Sequence, residues 1–253
     1  MQYSTVISLL RNARGIYDLD TIKGCSKGVA SDIGGCYGEC YAAKYARRYG
    51  YEFNKSILRN FIDINHITKI RENIFNINMP FIRIGVSGDP SENWEHTIKI
   101  INLVFGIKEI VVITKHWNEM SFALLKKISK FNVCFNTSIS ALDSPELIKH
   151  RLLQYSKIKD FCRSCLRIVT CNFNTQNLQG MYLNEVQNYL LLNDNIIDTV
   201  LRISNNNFYF KSGVIKADYY NFMSKNTLMS KHNNKVFTGY CVDCLELCGI
   251  NFN

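Results

Sequence analysis

The sequence predicts an α/β fold: a partial (β/α) barrel of about six βα units with parallel strands, carrying a Cys-rich C-terminal extension. Three observations predict it. From residue 81 onward, apolar β-branched runs of strand length alternate with amphipathic runs of helical period. Successive runs are spaced as βα units are. Polar residues gather where each apolar run stops, as they do at the C-terminal mouth of a parallel sheet.

The elements follow in order. "FIRIGVSGD" (81–89) is apolar and stopped by Gly and Pro, so it reads as a strand, and "NWEHTIKIINLVFGI" (93–107) has apolar residues at helical spacing. "EIVVITK" (109–115) is a buried strand, "MSFALLKKISKF" (120–131) an amphipathic helix and "NVCFNTSIS" (132–140) a strand again. "SPELIKHRLLQYSKI" (144–158) is a helix with Ser144 as N-cap and Pro145 in its first turn. "LRIVTCNF" (166–173), "YLNEVQNYLLL" (182–192) and "DTVLRIS" (198–204) continue as strand, helix and strand. The strand ends present Ser87, Gly88 and Asp89, then Thr114, Lys115 and His116, then Asn136, Ser138 and Ser140, then Cys171 and Asn172. Residues 1–205 are expected to form the barrel and 206–253 an extension packed on it.

Composition bounds the function. At 253 residues and 47% hydrophobic content, the chain buries a sizeable core and is not disordered. No apolar run approaches the roughly 20 residues that span a bilayer. The N-terminal stretch lacks a signal-peptide layout, so a cytoplasmic protein without membrane contact is expected. The net charge of +9 suits an anionic partner, although the basic residues are spread along the chain.

Ten cysteines are many for a reducing compartment, where clustered thiols point to metal ligation. Nine fall into triplets: Cys25, Cys36 and Cys40; Cys162, Cys165 and Cys171; Cys241, Cys244 and Cys248. Cys134 stands apart and reads as a buried apolar thiol. Around the first triplet, Gly24, Gly28, Gly34, Gly35 and Gly38 allow a loop to wrap closely about a bound group. Three thiolates leave a tetrahedral zinc one ligand short, and His66 is the closest histidine. On a cubane iron–sulfur cluster, three thiolates leave one iron open to another molecule.

A Cys loop ending "CYA", then a helix and a parallel βα repeat, resembles the radical S-adenosylmethionine (SAM) superfamily. "GC…GCYGECYAAKYARRYG" looks like its phage- and plasmid-associated proteins and, more distantly, its spore-photoproduct-lyase-like group; "SGDP", "VVITKH" and "NTSIS" follow in similar order. The resemblance covers roughly residues 20–205. Ten and three residues separate the thiols here, where three and two are usual.

The resemblance implies a 4Fe–4S cluster on Cys25, Cys36 and Cys40, with SAM chelating the open iron. It places Tyr41 by the adenine, Gly88 and Asp89 at the SAM amino group, Lys115 at its carboxylate, and Ser138 or Asn136 at the ribose or carboxylate. It implies reductive cleavage of SAM to methionine and a 5′-deoxyadenosyl radical that abstracts hydrogen from a substrate. An external electron donor such as flavodoxin or ferredoxin is implied as well.

The two-residue spacings in "CRSCLRIVTC" and "CVDCLELC" are metal signals. An auxiliary Fe–S cluster is expected ahead of zinc. Its ligands are open: Cys171 with Cys241, Cys244 and Cys248; a loop of Cys162, Cys165 and Cys171 with a C-terminal ligand; or zinc on Cys162, Cys165, Cys241 and Cys244. The substrate is a peptide or protein, or a nucleic acid or nucleotide. The rival expectation is a non-catalytic zinc-binding module that recognises nucleic acid or protein.

Overall fold

A computed structural model of the chain describes residues 4–27, 36–216, 228–229, 238–239, 243–244 and 247–251. Strands β1 (Leu10–Arg11), β2 (Tyr17–Asp18) and β3 (Ile22–Lys23) precede helix α1 (Tyr41–Arg48). Strand β4 (Ile57–Leu58) pairs antiparallel with β3 and leads into α2 (Ile64–Asn76). Then βα units follow one another: β5 (Phe81–Ile84), α3 (Trp94–Val104), β6 (Glu109–Thr114), α4 (Phe122–Ile128), β7 (Val133–Ile139), α5 (Pro145–Lys159), β8 (Arg163–Thr170), α6 (Leu178–Leu191) and β9 (Ile196–Val200). Beyond them lie the short α7 (Phe208–Lys211) and the antiparallel pair β10 (Leu228–Met229) and β11 (Thr238–Gly239).

The main sheet has seven strands in the order β1-β2-β5-β6-β7-β8-β9. All pairings from β2 to β9 are parallel, and β1 joins β2 antiparallel. Each crossover needs a helix to return the chain, and side-chain caps start those helices. Asp63 accepts from the His66 amide at 2.7 Å, Asn93 from the His96 amide at 2.9 Å, and Asn177 from the Gly180 amide at 3.0 Å. Ser144 caps α5 and Pro145 opens it, as the sequence predicts.

Alternation along the strands sorts side chains to two faces. Outward residues Ile82, Ile84, Ile110, Val112 and Phe135 pack with Ile74, Ile101, Leu125 and Ile158 of the surrounding helices. Inward residues Ile16, Phe81, Val111, Cys134, Cys165 and Ile197 meet in one cluster. They come from or flank six parallel strands, so the sheet curls into a partial barrel around them. One layer nearer the strand C-termini the lumen turns polar. Asp18 pairs with Arg83 at 2.9 Å, and the Arg167 guanidinium bonds Asn136 Oδ1 at 3.4 Å and Thr199 Oγ1 at 3.3 Å.

The C-terminal turn closes the lower lumen. Asn136 Nδ2 and Cys134 Sγ donate to the Cys248 carbonyl at 2.9 and 3.2 Å, and Arg163 donates to the Ile250 carbonyl. Cys248 holds a left-handed φ of 74°, uncommon for a residue with a Cβ.

Three elements differ from expectation. Strand β8, the sixth of the main sheet, begins at Arg163, three residues before its predicted start. Its inward positions carry Arg163, Cys165 and Arg167, which hide the apolar run on which a strand reading depends. Helix α2 was not expected, although Asp63 and the Ile67, Ile70, Ile74 spacing signal it. Strand β2 is two residues long, too short for a periodic signal.

Candidate active site

The strand C-termini carry the candidate site, and the first layer there is backbone. Asp20, just past β2, accepts the amides of Gly85, Val86 and Ser87 at 3.2, 2.8 and 3.0 Å. One buried carboxylate thereby fixes the loop after β5. Within that loop the Gly24 amide donates to the Ser87 carbonyl at 3.0 Å. A Cβ on Gly88 would lie 2.6 Å from the carbonyl oxygens of both Ile22 and Gly24, so this contact requires glycine. Gly88 brings the root of the Cys loop against the sheet.

Asp89 ties two strand ends together. Its Oδ1 accepts the Ser91 amide, the Ser91 hydroxyl and the Thr114 hydroxyl at 2.9, 2.7 and 2.8 Å, while Oδ2 accepts the Lys115 amide at 2.7 Å. Both oxygens thus already have protein partners. Glu92, one turn on, reaches the first cysteine. Its Oε1 accepts the Ser26 amide at 3.1 Å and lies 3.7 Å from Cys25 Sγ, and its Oε2 accepts the Ser26 and Ser56 hydroxyls at 2.8 and 2.9 Å.

The cysteines of the first triplet lie near this rim, Cys25 and Cys40 at one apolar cluster and Cys36 beside Lys115 and Asp143. Cys25 is buried, its amide bonded to the Phe53 carbonyl at 2.8 Å. It packs with Ala42, Ala46 and Phe53, against which Cys40 and Trp117 also lie. Cys36 opens a 3-10 turn and Cys40 is the N-cap of α1. Burial pushes the Cys36 thiol up, with Lys115 and Arg151 opposing it and Cys40 and Asp143 adding to it. Among the described residues, no three His, Cys, Asp or Glu side chains converge as a single ion requires.

Tyr37 follows Cys36 in a left-handed conformation, φ 58°. Its hydroxyl donates to both oxygens of Asp143 at 2.9 Å, and it accepts from Lys115 Nζ. The Lys115 ammonium lies 4.2 Å from the Tyr37 ring centroid. Asp143 forms an ion pair with Arg151, which is fully buried and whose guanidinium stacks 4.8 Å from the Trp117 ring centroid. Burial pushes the Asp143 carboxyl up, but Lys115 and Arg151 outweigh it and hold it below the usual range. None of Tyr37, Asp143, Arg151, Asp20 and Glu92 stood out in the sequence. Their partners lie 36 to 106 residues away for Asp20, Glu92 and Tyr37, beyond any local pattern.

The remaining expected residues divide. Tyr41 begins α1, is largely exposed and donates its hydroxyl to the Val86 carbonyl. Ser138 faces the lumen near the rim, two residues above Asn136 on the same face. Asn136 is fully buried in the polar layer, its amide committed to the Cys248 carbonyl and to Arg167.

The three cysteines of the second triplet have different surroundings. Strand β8 takes in Cys165 and turns it into the lumen, while Cys162 precedes the strand and packs under the helices. Cys171, just past the strand, joins a separate apolar cluster with Ala141, Phe173, Leu183, Val214 and Ile215. Cys171 is therefore apart from Cys244 and Cys248, which lie in the lower lumen with Cys165. Cys134, expected to be a buried apolar thiol, is fully buried in that same cluster. Cys241, Gly28, Gly34 and Gly35 lie outside the described residues.

A spore photoproduct lyase double mutant, solved with bound AdoMet and a dinucleoside spore photoproduct, aligns over 95% of this chain and 72% of its own, with a TM-score of 0.50 and 14% identity. The chain has the spore photoproduct lyase fold. No protein-family model matches it, and neither does any curated protein. Within that fold, the "CYGEC" turn and the loop after β5 meet at the C-terminal mouth of the sheet, where α/β folds place their functional groups. No helix among the described residues is long and apolar enough to cross a membrane.

Proposed function

We propose that this chain is a radical SAM enzyme whose Cys25, Cys36 and Cys40 hold a 4Fe–4S cluster. The observation that carries this reading is the Cys loop's place. It is rooted through Gly24 against Gly88 at the mouth of a partial barrel shared with a protein that binds AdoMet. The donor chemistry fits: three thiols, one with its pKa raised by burial, which a cationic iron cluster would draw into the thiolate form. When bound, the cluster supplies the electron for cleaving SAM to methionine and a 5′-deoxyadenosyl radical.

The chain's own residues do the rest. Glu92 holds Ser26 and faces the Cys25 thiol, and Asp20 fixes the loop after β5. Lys115, just past β6, would pair with the SAM carboxylate. Tyr41 lies beside that loop through its bond to Val86, where it would flank the adenine. Asp89 is committed to Ser91, Thr114 and Lys115, so it would act on the SAM amino group through the backbone it positions. Ser138, on the lumen side of β7, would hydrogen-bond the ribose or carboxylate of SAM. The neighbour's dinucleoside ligand and the +9 charge favour a nucleic-acid or nucleotide substrate over a peptide. A flavodoxin or ferredoxin would serve as electron donor.

Anaerobic reconstitution tests the cofactor. About four irons and four sulfides per chain are expected, with the visible thiolate-to-iron absorption. Stoichiometric zinc without iron or sulfide would move the chain to the non-catalytic module.

A further inference from the structure

Asp143 and Arg151 take no part in the reading above, yet they are the most deeply buried charges near the Cys loop. Arg151 has no exposed surface, and its ion-pair partner Asp143 is nearly as buried. Arg151 Nε donates to the Lys115 carbonyl at 2.7 Å, and its guanidinium covers the Trp117 ring. Asp143 already serves the Tyr37 hydroxyl and the Ser140 amide, the latter at 2.8 Å. Arg151 Nη2 is left without a hydrogen-bond partner among the described residues. Burying a guanidinium costs several kcal/mol that one shared carboxylate does not fully offset, and an apolar pair would stabilise the same contact more simply. A buried, unpartnered donor of this kind points to a group that completes it.

The position of the pair says which group. Asp143 grips Tyr37, the residue directly after Cys36, while Trp117 packs against the cluster of side chains that contains Cys25 and Cys40. Two cations, Lys115 and Arg151, thus surround one carboxylate beside the thiols.

We infer that Arg151 is a positioning residue which, paired with Asp143, orients the Cys36–Cys40 turn through Tyr37 and raises the reduction potential of the cluster held there. The inference rests on the proposed 4Fe–4S reading. Reduction adds one negative charge to the cluster, and a buried cation nearby stabilises that charge more than water would. The carboxylate opposes it, so the two residues act on the potential with opposite sign.

The test is a redox titration of the reconstituted full chain, followed by electron paramagnetic resonance of the reduced cluster. Arg151→Gln is expected to move the midpoint to more negative potential and Asp143→Asn to more positive potential. Arg151→Lys, which keeps the charge, is expected to stay at the wild-type value. A loosened site would move both charge-removing variants in one direction. That outcome, or wild-type potentials in loaded Arg151→Gln and Asp143→Asn, overturns the role assigned to Arg151. Should Arg151→Gln fail to fold, the upward shift in Asp143→Asn together with an unmoved Arg151→Lys decides the question. A wild-type chain that takes up no iron and sulfide overturns the cluster reading itself.

Discussion

Gly24 and Gly88 run side by side, bridged as parallel backbone, with the Gly24 amide 3.0 Å from the Ser87 carbonyl. This contact joins the root of the Cys loop to the loop after β5, so whatever the cysteines hold is set against the sheet by backbone. Gly88→Ala would drive a Cβ into two carbonyl oxygens that have little room to yield. A loss of about 1–3 kcal/mol is expected, as for overpacking elsewhere, read from urea unfolding. Wild-type stability in this variant would show that the two loops separate without cost.

Asp20 makes the next prediction. Three consecutive amides converge on its carboxylate, so Asp20→Ala leaves half-buried donors unpaired. The expected loss is about 1–3 kcal/mol, with faster amide exchange confined to residues 85–87. Unchanged exchange at these amides would show that other acceptors replace it.

His116 gives the molecule a pH dependence. Burial pushes its imidazole down to about 3, helped by His150 and Arg151. The folded state keeps the ring neutral where the unfolded chain, near its ordinary value of about 6.5, takes a proton. Stability is therefore full above that value and falls as pH drops from there toward about 3. His116→Gln is expected to flatten this slope in urea midpoints measured across the range. Asp143 acts lower: its depressed carboxyl contributes stability above the ordinary carboxylate value of about 3.9, lost as pH falls through its folded value. Asp143→Asn is expected to remove that more acidic component.

The lumen thiols yield a chemical prediction. Cys134 and Cys165 have no exposed surface, and burial pushes Cys165 well above an ordinary thiol, with Cys134 adding to it. Cys36 and Cys40 are partly exposed. Alkylation of the metal-free folded chain, mapped by mass spectrometry, should label Cys36 and Cys40 well before Cys134 and Cys165. Equal rates would mean that the C-terminal turn does not close the lower lumen.

The barrel was legible because its strands are buried on both faces and its helices are capped. "EIVVITK" and "NVCFNTSIS" carry strand signals strong enough to place β6 and β7 within a residue or two. Strand β8 was misplaced because its lumen side holds Arg163, Cys165 and Arg167, polar for the sake of the interior they meet. Sequence spacing alone does not show the surroundings of the cysteines, for the same reason. A strand sends Cys162 and Cys165 to different surroundings, whereas Cys134 and Cys248 meet across 114 residues. Asp89 was found from its place at a strand end, but its partners Ser91, Thr114 and Lys115 come from two loops that only the fold brings together.

The most direct test of the account is SAM cleavage. The reconstituted chain, reduced with dithionite under anaerobic conditions and given SAM, should form 5′-deoxyadenosine and methionine in equal amounts, and Cys36→Ala should form neither. No 5′-deoxyadenosine from the fully loaded wild-type protein, or undiminished product from Cys36→Ala, would contradict it.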